Sequence, residues 1–268
     1  MNKFIAIELG NVVPGATLLG QDSGINETFV GHIDCTNQRY KAYIKVLNDK
    51  QLVNELLANT LGRLLNLPIP RGFLLRVKPS DLPESNLLKN FNQEALVFGS
   101  QALKYPSLAR KYRGDSIEVI KWLKANFKIL DETIIFDDFV ANVDRNQGNL
   151  LVDGGGDVWL IDHGSCFTGS NWDAQHLIAD GKYNNLMADA FIGNMTLPER
   201  IKLKNKASMF CDALGKVDKR ETINSCYINQ IIPATELGAL ESFVIERVAH
   251  IVSIVSERVG IPTLGGGI

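Results

Sequence analysis

The sequence predicts an α+β protein in two parts: a small β-rich N-terminal region with one main helix over residues 1–98, and a mostly helical C-terminal region over residues 99–268. Three observations predict it. Alternating strand-like runs are concentrated in the first hundred residues, a single strongly periodic helical stretch lies among them, and amphipathic helical patterns dominate the rest except for one conspicuous hairpin.

Residues 28–33 (TFVGHI) and 40–46 (YKAYIKV) alternate apolar and polar positions and flank the turn-forming DCTNQR, which predicts a β-hairpin. In the second strand Tyr40, Ala42, Ile44 and Val46 share one face, and Lys41, Tyr43 and Lys45 the other. From Asp49 to Leu65 the residues Leu52, Val53, Leu56, Leu57, Leu61 and Leu64 recur at helical spacing, with Asn48 or Asp49 as cap and Pro68 and Pro70 beyond the end. A strand over 72–77, a polar stretch over 79–92 and a second apolar run over 94–100 follow. Gly99 and Ser100 mark the hand-over to the second region. Helices are expected over 116–127 and 131–142. A long apolar stripe from Leu237 to Val259 reads as a core-facing helix stopped by Gly260 and Pro262, and the terminal GGG as a flexible tail.

Composition narrows the function. With 28 basic and 30 acidic residues and a net charge of −2, the chain carries no overall positive field, so direct nucleic-acid binding is not expected. The four cysteines show neither CxxC spacing nor zinc-site intervals, which favours a reducing compartment. Glu8 interrupts the N-terminal apolar run well short of a signal peptide, and no stretch approaches the roughly 20 apolar residues of a membrane span. The expected location is cytoplasmic.

The chemistry concentrates in residues 137–164, DDFVANVDRNQGNLLVDGGGDVWLIDHG. Residues 149–152 and 158–162 are short apolar runs separated by DGGGD, a tight hairpin that brings Asp144, Asn149 and Asp162 to one end. Such a set suits phosphoryl transfer. One carboxylate orients or deprotonates an attacking hydroxyl, while an amide oxygen and a second carboxylate hold Mg²⁺ against ATP phosphates. The five-residue step from Asp144 to Asn149 matches the kinase catalytic loop, and Asp162-His163-Gly164 is similar to the DFG element. Upstream, Lys45 on a strand and Glu55 in the next helix reproduce the phosphate-binding lysine and its carboxylate partner, although each also reads as a solvated surface position. The candidate phosphate loop is Gly20–Asn26, including Ser23 and Gly24; a plain surface loop is the other reading.

On YIKVLNDKQLVNELLANTLGRLLNLPIP and NVDRNQGNLLV…WLIDHG the chain resembles the HipA-like kinase family over residues 20–170, and more distantly the phosphatidylinositol 3/4-kinases. The family motif N-x-D-R-H-x-x-N appears here as Asn142 to Asn149, with Asn146 in place of the histidine. The resemblance implies a two-lobed protein-kinase-like fold and an ATP- and Mg²⁺-dependent Ser/Thr protein kinase. It implies Asp144 as base, Asn149 and Asp162 as Mg²⁺ ligands, and Lys45 with Glu55 on the phosphates. It also implies a hinge at Phe98, Gly99, Ser100 and Gln101 that meets adenine through its backbone, and Ser23 as an autophosphorylation site. Toxin-type activity with an antitoxin-like partner belongs to the same family pattern. A small-molecule or lipid kinase and a nucleotide-binding pseudokinase scaffold remain as alternatives.

Overall fold

Alternation along residues 28–45 builds the longest antiparallel pair, β3 (Thr28–Cys35) with β4 (Gln38–Lys45), in the register Thr28↔Lys45 to Cys35↔Gln38. The computed structural model describes residues 7–20, 26–36, 38–89, 91–112 and 116–262. Before this hairpin come β1 (Glu8–Val12) and the short β2 (Thr17–Leu18); after it come helix α1 (Asp49–Leu64), β5 (Gly72–Val77) and β6 (Ala95–Gln101). The strand order is β1-β5-β6-β4-β3-β2, and β1 also pairs antiparallel with β3, so five strands close into a barrel. The parallel β1–β5 pair completes the closure.

The two faces of the strands serve different cores. Phe29, Ile33, Ala42, Ile44, Phe73, Leu75 and Val97 are buried together inside the sheet, whereas Leu74 and Phe98 join a second cluster with α1 and the helical region. Close packing requires Gly31, because a Cβ there would lie 2.5 Å from the Ala16 Cβ. Helix α1 begins where expected: the Asn48 Oδ1 accepts the Gln51 amide at 2.8 Å. Its apolar stripe is buried from Leu52 to Leu61.

The boundary expected between residues 98 and 99 falls inside β6, which runs on to Gln101. Beyond it the described chain is mostly helical: α2 (Leu108–Lys111), α3 (Ser116–Asn126), α4 (Leu130–Phe139), α5 (Leu186–Ile192), α6 (Leu197–Gly215), α7 (Lys219–Asn224), α8 (Ala234–Arg247) and α9 (Ile251–Val259). The hairpin β7 (Leu150–Val152) and β8 (Val158–Leu160) interrupts the helices, in the register Leu150↔Leu160. Its turn is tied by Asp153 Oδ1, which accepts the Gly155 and Asp157 amides at 2.9 Å each.

Two helices differ from expectation. The α4 helix stops at Phe139 rather than continuing to residue 142, because the carbonyls of Val140 and Ala141 accept from Phe167 N–H (2.6 Å) and Thr168 N–H (3.1 Å), with Ala141 at φ +46°. The stripe over 237–259 is divided by a 3₁₀ turn, Val248–His250, yet Leu240, Val244, Ile251, Val255 and Val259 remain buried on one side. The terminal GGG lies outside the described residues.

Candidate active site

Strand β4 carries Lys45 on the face opposite the barrel interior, and one turn of chain later α1 returns with Glu55. Lys45 Nζ donates to Glu55 Oε1 at 2.7 Å and to Asp162 Oδ1 at 2.9 Å. Three residues separated by 10 and 117 positions therefore meet at one ammonium. The Glu55 side chain is 1% exposed, Lys45 15% and Asp162 44%, so the set grades from interior to solvent. Burial disfavours the charged form of Lys45, but the carboxylates of Glu55 and Asp162 outweigh it and raise the pKa. For Glu55, burial acts upward, and Lys45 with His163 outweighs it, so the carboxyl is held below its ordinary range.

Asp162 lies two residues past the end of β8 and adopts φ +58°, a left-handed conformation that Asp tolerates better than most residues. The bend lets the His163 N–H reach Glu55 Oε2 at 3.1 Å. The His163 ring is buried 3.6 Å from the same oxygen; burial and the Arg145 charge lower its pKa, favouring the neutral form. Cys166 is buried and its thiol pKa is pushed well up by burial, so it is a packing residue and no nucleophile.

The loop between α4 and β7 presents Asp144. Its carbonyl accepts Asn149 Nδ2 at 2.6 Å, and its exposed carboxylate accepts Asn146 Nδ2 at 3.1 Å through Oδ1. Asn146, where the family motif has histidine, thus touches the candidate base and also caps the following turn through Gly148 N–H at 2.8 Å. Arg145 points inward and is fully buried. It bonds Asp137 at 3.2 Å and donates to the Ile161 carbonyl at 2.6 Å, so the loop bearing Asp144 is tied to the residue before Asp162. Asn142 adds a bond from Nδ2 to Asp137 Oδ1 at 2.9 Å. Loop-to-loop bonds, including Val143 N–H to Ser165 O at 3.2 Å, complete the connection.

Several of these contacts escaped sequence reasoning. Asp137 was legible only as a helix residue, and its role as anchor of Arg145 and Asn142 emerges from packing. Asn54 is the second case: its Nδ2 faces the carbonyls of Gly164 (2.8 Å), Cys166 (2.8 Å) and Gly169 (2.9 Å), and its Oδ1 accepts Trp172 Nε1 at 2.7 Å. A polar residue beside Glu55 and bounded by apolar Val53 and Leu56 was the available signal.

The residues expected to meet adenine, Phe98, Gly99, Ser100 and Gln101, form the end of β6, which is laddered to β4 on one side and to β5 on the other. The Gln101 N–H donates to Arg71 O at 2.8 Å and the Ala102 N–H to Lys41 O at 2.9 Å, so the linker past the ladder begins at Leu103. Ser23 and Gly24, with most of the candidate phosphate loop, lie outside the described residues.

As a donor set, Asn149 and Asp162 offer an amide oxygen and a carboxylate. Since Asn149 Nδ2 is spent on the Asp144 carbonyl, its oxygen is the end left for a cation. An all-oxygen pair with one carboxylate fits Mg²⁺, which completes its shell with phosphate oxygens and water. Among the described residues no group of three or more His, Cys, Asp or Glu is placed to hold a metal ion, and no helix is long and apolar enough to cross a membrane.

No curated protein sequence matches the chain. The family model described as HipA-like kinase matches residues 21–213, a span that contains Lys45, Glu55, Asp144, Asn149 and Asp162. With well over half of its 268 residues inside that match, the chain belongs to the HipA-like kinase family.

Proposed function

We propose that the chain is an ATP- and Mg²⁺-dependent serine/threonine protein kinase of two-lobed architecture, with the barrel and α1 as the small lobe. The observation that carries this reading is Lys45 Nζ held between Glu55 at 2.7 Å and Asp162 at 2.9 Å, because this joins the phosphate-binding and metal-binding halves of a phosphoryl-transfer site. Lys45, kept cationic and oriented by Glu55, contacts the α- and β-phosphates. Asn149 and Asp162 hold Mg²⁺, which when bound neutralises phosphate charge. Adenine meets the backbone at Phe98 to Gln101, where β6 ends.

Asp144 orients the acceptor hydroxyl. As that oxygen bonds to the γ-phosphorus, the bond from phosphorus to the β-phosphate bridging oxygen breaks, ADP leaves, and Asp144 takes the hydroxyl proton. Family membership supports a polypeptide acceptor over a lipid head group, and it supports a toxin-type role held in check by an antitoxin-like partner in the cytoplasm. A nucleotide-binding scaffold without activity would not need all five site residues, and the chain keeps every one.

The test is incubation with γ-labelled ATP, Mg²⁺ and a cell lysate, with protein and lipid fractions counted separately. Asp162→Ala should abolish Mg²⁺-dependent transfer. Asp144→Asn should lower it by about 10²–10⁴-fold, the share of a general base, while calorimetric ATP affinity stays within about twofold of wild type, as expected for a group that does not touch the nucleotide. Near-wild-type transfer by either variant overturns the site assignment.

A further inference from the structure

Beneath the loop that bears Asp144 lies a cavity of about 440 Å³. Its walls are apolar: Ile120 and Leu123 from α3, Met187, Ala190 and Phe191 from α5, and Leu150 at the start of β7. Its polar edge is Asn146 to Gly148, in the catalytic loop itself. The cavity opens to solvent, so a group from outside can enter it. The volume falls in the range of binding pockets, about 300–1,000 Å³.

Two observations identify the occupant. The first is position: Asn146 lines the cavity and its Nδ2 is 3.1 Å from Asp144 Oδ1, so the cavity is one side chain away from the carboxylate that would receive the acceptor hydroxyl. The second is charge. Among the described residues Arg145 is the sole ionisable side chain in the lining, and its guanidinium is committed to Asp137 at 3.2 Å and the Ile161 carbonyl at 2.6 Å. Among the described residues no unpaired charge faces the cavity, so a charged occupant would lose its hydration without return there.

We propose that this cavity is a specificity pocket for the acceptor polypeptide, receiving a bulky apolar side chain that flanks the phosphorylated serine or threonine. The proposal rests on the kinase reading above and adds to it the class of sequence the enzyme selects. Burial of the flanking side chain anchors the acceptor so that its hydroxyl lies at Asp144, and an acidic or basic residue at the same place is rejected.

The test is a panel of serine peptides identical except for the residue beside the serine, which is Leu, Phe, Ala, Lys or Asp, assayed with the full-length enzyme, Mg²⁺ and ATP. The Leu and Phe peptides should exceed the Ala peptide in kcat/KM by roughly tenfold or more, as expected when several methylene groups enter an apolar pocket. Ala190→Phe fills the cavity and should bring that ratio close to one. Ala109→Leu, on the neighbouring α2 wall, is a milder filling that serves if Ala190→Phe fails to fold. The ratio compares peptides on one enzyme preparation, so a general loss of activity does not move it.

Equal kcat/KM across the panel overturns the proposal, as does a preference that survives both fillings. Transfer to phosphoinositide vesicles but to no peptide also overturns it and leaves a phosphotransferase standing. No turnover of ATP by the wild type defeats the kinase reading itself, and the pocket assignment falls with it.

Discussion

Lys45 is positioned so that removing either carboxylate leaves a charge with half of its compensation. Glu55 is the inner partner, 1% exposed, and an unpaired charge at such depth is costly, whereas Asp162 is 44% exposed and can turn towards a cation. The two bonds of Lys45 thus differ in permanence: one is structural, and the other, under the proposed kinase function, is free to be exchanged when a nucleotide arrives. Lys45→Met and Glu55→Gln should therefore act as a unit. A double-mutant cycle on ATP affinity should give a coupling of about 0.5–3 kcal/mol, and additive losses would show that the pair seen at 2.7 Å does no work in binding. Arg145 illustrates the same rule without a ligand. Its pairing with Asp137 is fully buried, and burial would lower its pKa but the Asp137 charge raises it, so the guanidinium is a fixed strut between the loop that bears Asp144 and the chain before Asp162.

Helix α1 is more than the carrier of Glu55. Asn54 and Glu55 are consecutive, and between them they bind the backbone of residues 163–169: Glu55 takes the His163 N–H and Asn54 faces three carbonyls. Lys50, near the start of the same helix, lies 4.1 Å above the Trp172 ring and pairs with Glu236 of α8. The helix is thereby held against the segment that follows Asp162, and Asp162 is kept within reach of Lys45. Asn54→Leu keeps the approximate volume and removes every one of these hydrogen bonds. It should destabilise the protein by about 1–3 kcal/mol for the buried carbonyls left without a donor, and it should speed hydrogen exchange in residues 163–170 more than in the barrel strands. A uniform increase in exchange over the whole chain would show a general stability effect and no local positioning.

Helices distant in sequence are joined at Asp138, on α4 next to the loop that bears Asp144. Its carboxylate accepts Arg258 Nε of α9 at 2.7 and 2.9 Å, and its carbonyl accepts Arg247 of α8 at 2.9 and 3.0 Å. Helices α8 and α9 thus bear on the helix that precedes the loop bearing Asp144. Burial pushes the Asp138 carboxyl up from an ordinary 3.8 to about 6, more than Arg258 can lower it. A raised carboxyl pKa means that the folded state binds this proton more tightly than the unfolded chain. Its contribution to stability is full below about pH 4 and is lost as pH rises through about 6, a change of roughly 3 kcal/mol. In Asp138→Asn that contribution is absent. The difference in unfolding free energy between wild type and variant, from urea titrations, should shrink by about that amount between pH 4 and pH 7. A difference that is constant with pH would place the Asp138 pKa near its ordinary value.

The strand pair β3–β4, helix α1 and the β7–β8 hairpin were legible in the chain itself, because each is written in the periodicity of consecutive residues and punctuated by Asn48, by Pro68 and by the DGGGD turn. The spacing of Asp144, Asn149 and Asp162 was legible for the same reason: one hairpin brings them to one end whatever surrounds it. Closure of the barrel was not, since β1 pairs with β5 and β3 through backbone groups that every residue possesses. That residues 98–101 end a strand paired on both sides, with the ladder stopping at Ala102, was likewise visible only in the sheet. Asn54, Asp137 and Asp138 have unremarkable readings in sequence, a polar helix residue each. Tertiary structure gives them partners more than one hundred positions away or folded back from the next loop, and in a buried setting a polar group's role is determined by the partner that satisfies it.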